Sequence, residues 1–169
     1  IARVTFIARS SADLDYALSD LEDRGLLWWD RASNSYDMHP IVRSYVYDQL
    51  GEADRVRANE SARDYFQSLP PEDTMRAKSV EDAYQTITIY RTLVGAKRFV
   101  EASGLWRQRL AHPLLIDLGA SATVVELLEP VADFASPSMR ADLVNAYSEL
   151  RQYTQAINEE SRILGEAVE

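Results

Sequence analysis

Side chains able to do chemistry are few in this chain. Cysteine is absent and histidine occurs only as His39 and His112. A metal site takes three or four convergent ligands, so here it would have to be built mostly from carboxylates. Asp and Glu number 27, but they are scattered over helix positions that face solvent, and no metal site is expected. No Ser-His-Asp order, Gly-x-Ser-x-Gly elbow or Gly-rich phosphate loop is present, which leaves no nucleophile-base constellation and no nucleotide-hydrolysing machinery within these residues. The chain by itself is therefore read as not an enzyme. His39, in Tyr36-Asp37-Met38-His39-Pro40, is the residue to single out. An imidazole at a helix start can satisfy local backbone groups as a cap. Alternatively, beside unpaired backbone donors and the positive end of the dipole, its N–H can meet an anion. His112, in Leu110-Ala111-His112-Pro113, reads as structural, at the junction of two helices.

The elements that would hold His39 follow from periodicity. Leu14, Ala17, Leu18 and Leu21 recur at helical spacing, Ser10 and Asp13 can form a capping box, and Gly25 closes the helix. Leu27 and Trp29 then alternate with Trp28 before a polar break at Arg31–Asn34, and Tyr36 and Met38 alternate with Asp37. That pattern predicts a β-hairpin. Pro40 suits a first helical position, and Ile41, Val42, Tyr45, Val46 and Leu50 would line the inner face of a helix reaching Gly51. Helix, two-stranded wing and helix make a winged-helix module, whose expected packing residues include Leu18, Leu21, Trp29, Tyr36, Met38, Ile41 and Val42. Trp28, Trp29 and Tyr36 could stack on nucleic-acid bases; filling the wing's inner face is the better reading. The helix that would enter a DNA groove, Ala-Asp-Leu-Asp-Tyr-Ala-Leu-Ser-Asp-Leu-Glu-Asp-Arg, carries five carboxylates and one Arg, and its charge repels phosphate.

No strand signal follows Glu52. A helix with Val56, Ala62, Tyr65, Phe66 and Leu69 runs to Pro70-Pro71, where it could act as a rigid arm, and another opens near Ser79, which with Asp82 makes a second capping box, and ends at Gly95. A repeat pattern then places a large residue, a turn-closing residue six positions on, and two further packing positions. Leu93, Phe99, Ala102 and Trp106 fit it, as do Tyr147, Tyr153, Ala156 and, less well, Glu160, with a weaker copy at Leu115, Ser121, Val124 and Leu128. The separations, 22 residues from Ala102 to Val124 and 32 from Val124 to Ala156, compare with ~34 in a tetratricopeptide unit. The array is degenerate. Pro130 predicts a kink or helix end, and Ser136-Pro137 an N-cap and first-position pair. The expected fold is mainly α: a winged-helix domain over 1–50, a helical connector over 51–78, and tetratricopeptide-like helical repeats over 79–169.

Composition sets the outer limits. The 169 residues are 46% hydrophobic and 27% charged, as in ordinary globular proteins of one or two domains. A net charge of −9 opposes binding to phosphate backbones, so no nucleic-acid partner is expected. The absence of Cys and of any apolar run near ~18–20 residues predicts a cytoplasmic protein without a membrane partner. The start, without Met, and an end inside a helical pattern lead us to expect a segment of something larger.

Residues Leu21-x-x-Arg24-Gly25-Leu26-Leu27, the wing, and Met38-His39-x-Ile41-Val42-Arg43 carry a resemblance. Over about residues 12–50 the chain resembles the winged-helix domain of the STAND class of signalling ATPases, the group with NB-ARC and apoptosome-type members, plant disease-resistance proteins and bacterial sensors. Where the family usually has Asp after the Met-His pair, this sequence has Pro40. The resemblance implies that His39 contacts the β-phosphate of ADP held in the protein's own upstream nucleotide-binding domain, an autoinhibited state. It further implies that the tail, which resembles tetratricopeptide repeats, binds a protein or peptide ligand that triggers ATP exchange and homo-oligomerisation in signal transduction, with bacterial defence as the setting. On this reading the cofactors, ADP and ATP, belong to the parent protein and none to these residues. Two other readings are a helical-repeat interaction scaffold without a nucleotide switch and a winged-helix transcription regulator.

Overall fold

Leu14, Ala17, Leu18 and Leu21 fall on one side of a helix, and the chain folds accordingly in α1 (Ser11–Asp23). The structure is a computed structural model and describes residues 11–30 and 35–166; Ser10 of the first expected capping box and the polar break at 31–34 lie outside the described residues. The protein is mainly helical with, among the described residues, one small antiparallel hairpin, and it divides into two units, Ile1–Gly51 and Glu52–Glu169.

In the first unit α1 stops because Gly25 takes a left-handed φ of +67°. The Gly25 N–H donates to the Glu22 carbonyl at 2.8 Å and the Leu26 N–H to that of Leu21 at 3.0 Å, the paired bonds that close a helix C-terminus. β1 (Leu27–Asp30) then pairs with β2 (Ser35–Met38) in the register Leu27 with Met38, Trp28 with Asp37 and Trp29 with Tyr36. α2 (Pro40–Gln49) follows immediately. Leu27, 6% exposed, is the buried hydrophobic of this unit among the described residues, and α1 packs on the strand that carries it. Half-burial is all that Leu18, Leu21, Met38 and Val42 reach. The expected inner face of α2 is not covered: Ile41 is 73% exposed, and Tyr45 and Val46 are exposed as well. Helical periodicity identified that face correctly as apolar, but burial requires a second surface that α1 and a two-stranded hairpin do not supply.

The second unit holds the main core. α3 (Glu52–Ser68) packs along α4 (Tyr84–Gly95), so the segment expected to be a connector belongs to this unit and is not a free-standing arm. Gly95 marks their close approach. A Cβ there would lie 2.6 Å from the Asn59 amide group, which donates to the Arg55 carbonyl at 2.8 Å. α4 also begins later than the Ser79 capping box predicts. The Asp82 carboxylate does accept the Ser79 N–H at 3.1 Å, but residues 81–83 form a 3-10 turn and the helix starts at Tyr84. Its cap comes from Glu72, whose Oε1 accepts the Gln85 N–H at 2.7 Å and whose Oε2 accepts the Thr86 N–H at 2.9 Å.

α5 (Phe99–Leu105) continues as π-helical turns over Trp106–Leu110 and Pro113–Asp117. Next come α6 (Ser121–Leu128), a 3-10 stretch over Glu129–Phe134 where Pro130 ends regular helix, α7 (Pro137–Glu149) capped by the Ser136 hydroxyl, and α8 (Tyr153–Glu166). The turns into α5, α6 and α8 each pass through one left-handed residue, Lys97, Gly119 and Arg151, with φ near +60°. These lie two positions before Phe99, Ser121 and Tyr153, the turn-closing residues of the spacing pattern. In two of the turns a six-residue bond closes the preceding helix, from Arg98 N–H to the Leu93 carbonyl and from Gln152 N–H to that of Tyr147, both at 2.8 Å. In the middle turn Ala120 reaches one residue further back, to Leu114 at 2.7 Å, because the π-helical turn before it holds an extra residue. Among the described residues, no helix is long and apolar enough to cross a membrane.

Candidate functional site

His39 sits where β2 hands over to α2. It is the N-cap of α2, with φ −53° and ψ 133°, and its Nδ1 accepts the Ile41 N–H at 3.3 Å. An accepting Nδ1 carries no proton, so in the neutral ring the proton is on Nε2. The residue is exposed. The first turn of α2 is thereby less open than an uncapped helix start: Pro40 has no N–H, and that of Ile41 is taken by the ring. The remaining ring donor of His39, Nε2–H, makes no hydrogen bond among the described residues. Arg43 fixes the junction, with Nη2 2.5 Å from Asp37 Oδ1 and 3.3 Å from the Met38 carbonyl. Asp37 also accepts the Met38 N–H at 2.7 Å.

The hairpin aromatics are only partly covered. Trp29 and Tyr36 face each other across the strands with centroids 6.0 Å apart and 23° between planes, and both remain exposed, as does Trp28. They pack on each other rather than beneath a helix, which corrects the expectation that Trp29 and Tyr36 fill an inner face. Among the described residues the nearby arginines are committed to carboxylates, Arg24 to Asp20 at 3.0 Å and Arg43 to Asp37.

In the second unit Leu93, Ala102, Trp106, Tyr147 and Ala156 are buried together and Phe99 packs against their core. Tyr153 does not join them. At 59% exposure it stands at the first position of α8, which meets α7 one turn later through Ala156 and Glu159. Glu160, the poor match in the pattern, is exposed, while Glu159 beside it is buried. Trp106 has a polar role as well, its indole N–H donating to Asp142 on α7 at 2.8 Å. Burial pushes the Asp142 carboxyl above its ordinary value, and that hydrogen bond opposes the rise. Arg140 and Glu159, both buried, approach to 3.7 Å, and Arg140 Nε also donates to the Ala132 carbonyl at 3.0 Å. The second oxygen of Glu159 takes Arg162 at 3.1 Å. The Tyr147 hydroxyl, pushed up to about 12 by burial and by Glu129, borders the same network. His112 lies on the surface, its Nδ1 3.2 Å from Asp117 Oδ2.

The second unit also carries a concave surface. A groove of about 380 Å³ runs beside α5, walled by Phe99 and Phe134 and reaching Arg107. The two Phe rings stack with centroids 4.3 Å apart and 3° between planes. Sequence patterning identified Phe99 but not Phe134, which follows a proline-broken turn with no periodicity of its own. Among the described residues, no group of three or more His, Asp and Glu side chains gathers to hold a metal. Comparison with protein families, curated proteins and solved structures returns no match to this chain.

Proposed function

We propose that this chain is the regulatory and sensing part of a STAND-class ATPase: its first unit, a winged-helix module, holds the ADP-bound resting state, and its second, a degenerate tetratricopeptide-like array, takes a protein or peptide ligand. The observation that carries this reading is His39. Its cap bond occupies Nδ1 and leaves Nε2–H of this exposed residue without a partner among the described residues, while Arg43 holds the Met38-His39 backbone to α2. A donor fixed in this way at the positive end of a helix suits a diphosphate oxygen brought by a neighbouring nucleotide-binding domain. Pro40 adds rigidity where the family's Asp would add a charge. The exposed Ile41, Tyr45 and Val46 give α2 an apolar surface, of the kind that marks contact with another protein surface.

Switching then follows from population. Ligand on the helical array favours the open state only to the extent that it binds that state more tightly, and the released nucleotide site exchanges ADP for ATP and assembles. The test is made on the protein carrying this chain with its nucleotide-binding domain. It is purified, denatured, and the released nucleotide identified by chromatography. Stoichiometric ADP that falls sharply in His39→Ala is the expected result. A parent protein without nucleotide, or ADP retained undiminished in the variant, overturns the role of His39.

A further inference from the structure

We propose that the groove beside α5 is where the second unit takes its ligand, and that the ligand is an extended peptide segment of a partner protein carrying an apolar side chain and, four residues on, a carboxylate. This rests on the reading of the helical unit as ligand-binding and gives that unit a place and a chemistry.

Three features of the groove agree. Its apolar end is built but uncovered: Phe134 is 61% exposed beside its stacked partner Phe99, and Val100 on the adjoining turn is 88% exposed. Its lining includes Gly104, inside a continuous helix, where glycine is less stable than alanine. A Cβ there would meet nothing within 4 Å, so no neighbour in this chain demands the glycine. What it preserves is room for another backbone. Its far end is cationic. Arg107 makes no hydrogen bond or ion pair among the described residues, whereas the carboxylates beside the groove are occupied, Glu101 by Arg98 and Asp133 by Arg162, each at 2.5 Å. The lining itself holds no carboxylate. In a chain of net charge −9, an uncommitted guanidinium at the end of an apolar groove selects an anionic ligand.

Spacing sets the ligand's form. Phe99 and Arg107 are eight residues apart, a rise of about 12 Å along a helix at ~1.5 Å per residue. An extended peptide covers that in about four residues at ~3.3 Å each, and side chains four apart share a face. The experiment titrates the ¹⁵N-labelled 169-residue chain with end-blocked Phe-Ser-Ser-Ser-Glu, and with the same peptide carrying Gln for Glu or Ala for Phe. Saturable shifts centred on Val100, Gly104 and Arg107 are expected, weakened about tenfold with either control peptide or with Arg107→Glu, as for loss of one charge-assisted or one apolar contact. Gly104→Leu fills the groove and abolishes binding while its melting temperature stays at or above that of the parent, because leucine is the better helix former. Equal binding of the Glu and Gln peptides, or binding retained in Gly104→Leu, overturns the proposal. Shifts confined to another face of the second unit overturn the groove but keep the ligand-binding reading; no shifts anywhere up to peptide solubility overturn both.

Discussion

Removing the Glu72 carboxylate breaks a cap that reaches α4 from thirteen residues away. Its two oxygens accept the Gln85 and Thr86 N–H groups, and Oε2 also accepts the Thr86 hydroxyl at 3.1 Å. Gln85 and Thr86 are buried, so in Glu72→Ala two backbone donors lose their acceptor where water enters poorly. A hydrogen bond to a charged group contributes about 1.5–3 kcal/mol and an N-cap about 1 kcal/mol, and the three bonds share one carboxylate, so their sum is less than additive. The expected loss is about 3 kcal/mol. Glu72→Gln keeps one acceptor oxygen without the charge and should lose about half of that. Urea unfolding followed by Trp106 fluorescence, in a background with Trp28→Phe and Trp29→Phe, reads the second unit alone, since Trp106 lies in its core. With a slope of about 1.5 kcal/mol per molar urea, the midpoint of Glu72→Ala should fall by about 2 M. A midpoint within about 0.3 M of the parent, well below the slope-scaled expectation, would refute the long-range cap.

Further tests use the same unit. Gly95→Ala pushes the Asn59 amide off the Arg55 carbonyl, a loss of about 0.5–1.5 kcal/mol that offsets the ~1 kcal/mol by which helix propensity favours alanine; a urea midpoint raised by the full propensity gain would contradict the close approach. Arg151→Gly relieves a left-handed residue on the surface and should stabilise by about 0.5–1 kcal/mol, read by thermal unfolding, with a loss of stability counting against strain at that turn. Asp142 has a raised pKa in the fold, so the stability it contributes is fully present below the unfolded carboxyl pKa and is lost as pH rises through the folded one. Asp142→Asn should therefore gain stability relative to the parent across that acidic range, and a difference that does not vary with pH would show that burial of the charge is unimportant there. Arg140→Met leaves Glu159 buried with only Arg162 and should cost about 3 kcal/mol, most of it recovered in the Arg140→Met/Glu159→Met double variant; no recovery would mean that Arg140 matters through its bond to Ala132 instead.

Local physics was legible in the sequence and distant physics was not. Gly25, Pro130 and Ser136-Pro137 act within a turn of their own position, so residue type alone located the end of α1, the end of α6 and the start of α7. The turn register at Phe99, Ser121 and Tyr153 was readable for the same reason, since a left-handed residue two positions earlier is a constraint on a few adjoining peptides. The start of α4 was displaced because its cap lies across a loop. Ile41 and Tyr153 lie at packing positions of the pattern yet stand exposed, because period tells which side of a helix is apolar, not whether another element covers it. Of the candidate sites, His39 was visible as a residue type before a helix-starting proline. The groove was not, since Phe134 and Arg107 come from segments with no common pattern, and Gly104 acquires meaning only when the space beside it is known to be empty.

Burial separates the two units in a way that bears on switching. The second has a continuous core from α4 to α8, anchored by Tyr90, Trp106, Leu128 and Leu143. The first buries Leu27 and leaves Ile41, Tyr45, Val46 and the hairpin aromatics open to solvent. Fully burying one large apolar side chain contributes roughly 1.5–3 kcal/mol, so covering Ile41 and Tyr45 against another surface is comparable to the ~5.5 kcal/mol needed to move a two-state equilibrium from 1:99 to 99:1. Under the proposed switch, contact of α2 with a nucleotide-binding domain and the bond from His39 to a phosphate act at the same helix end. Substituting Ile41 by Ser should then release ADP from the parent protein as His39→Ala does, while leaving the second unit's unfolding unchanged. Retention of ADP in Ile41→Ser would confine the resting-state contact to His39 and remove the apolar face from the mechanism.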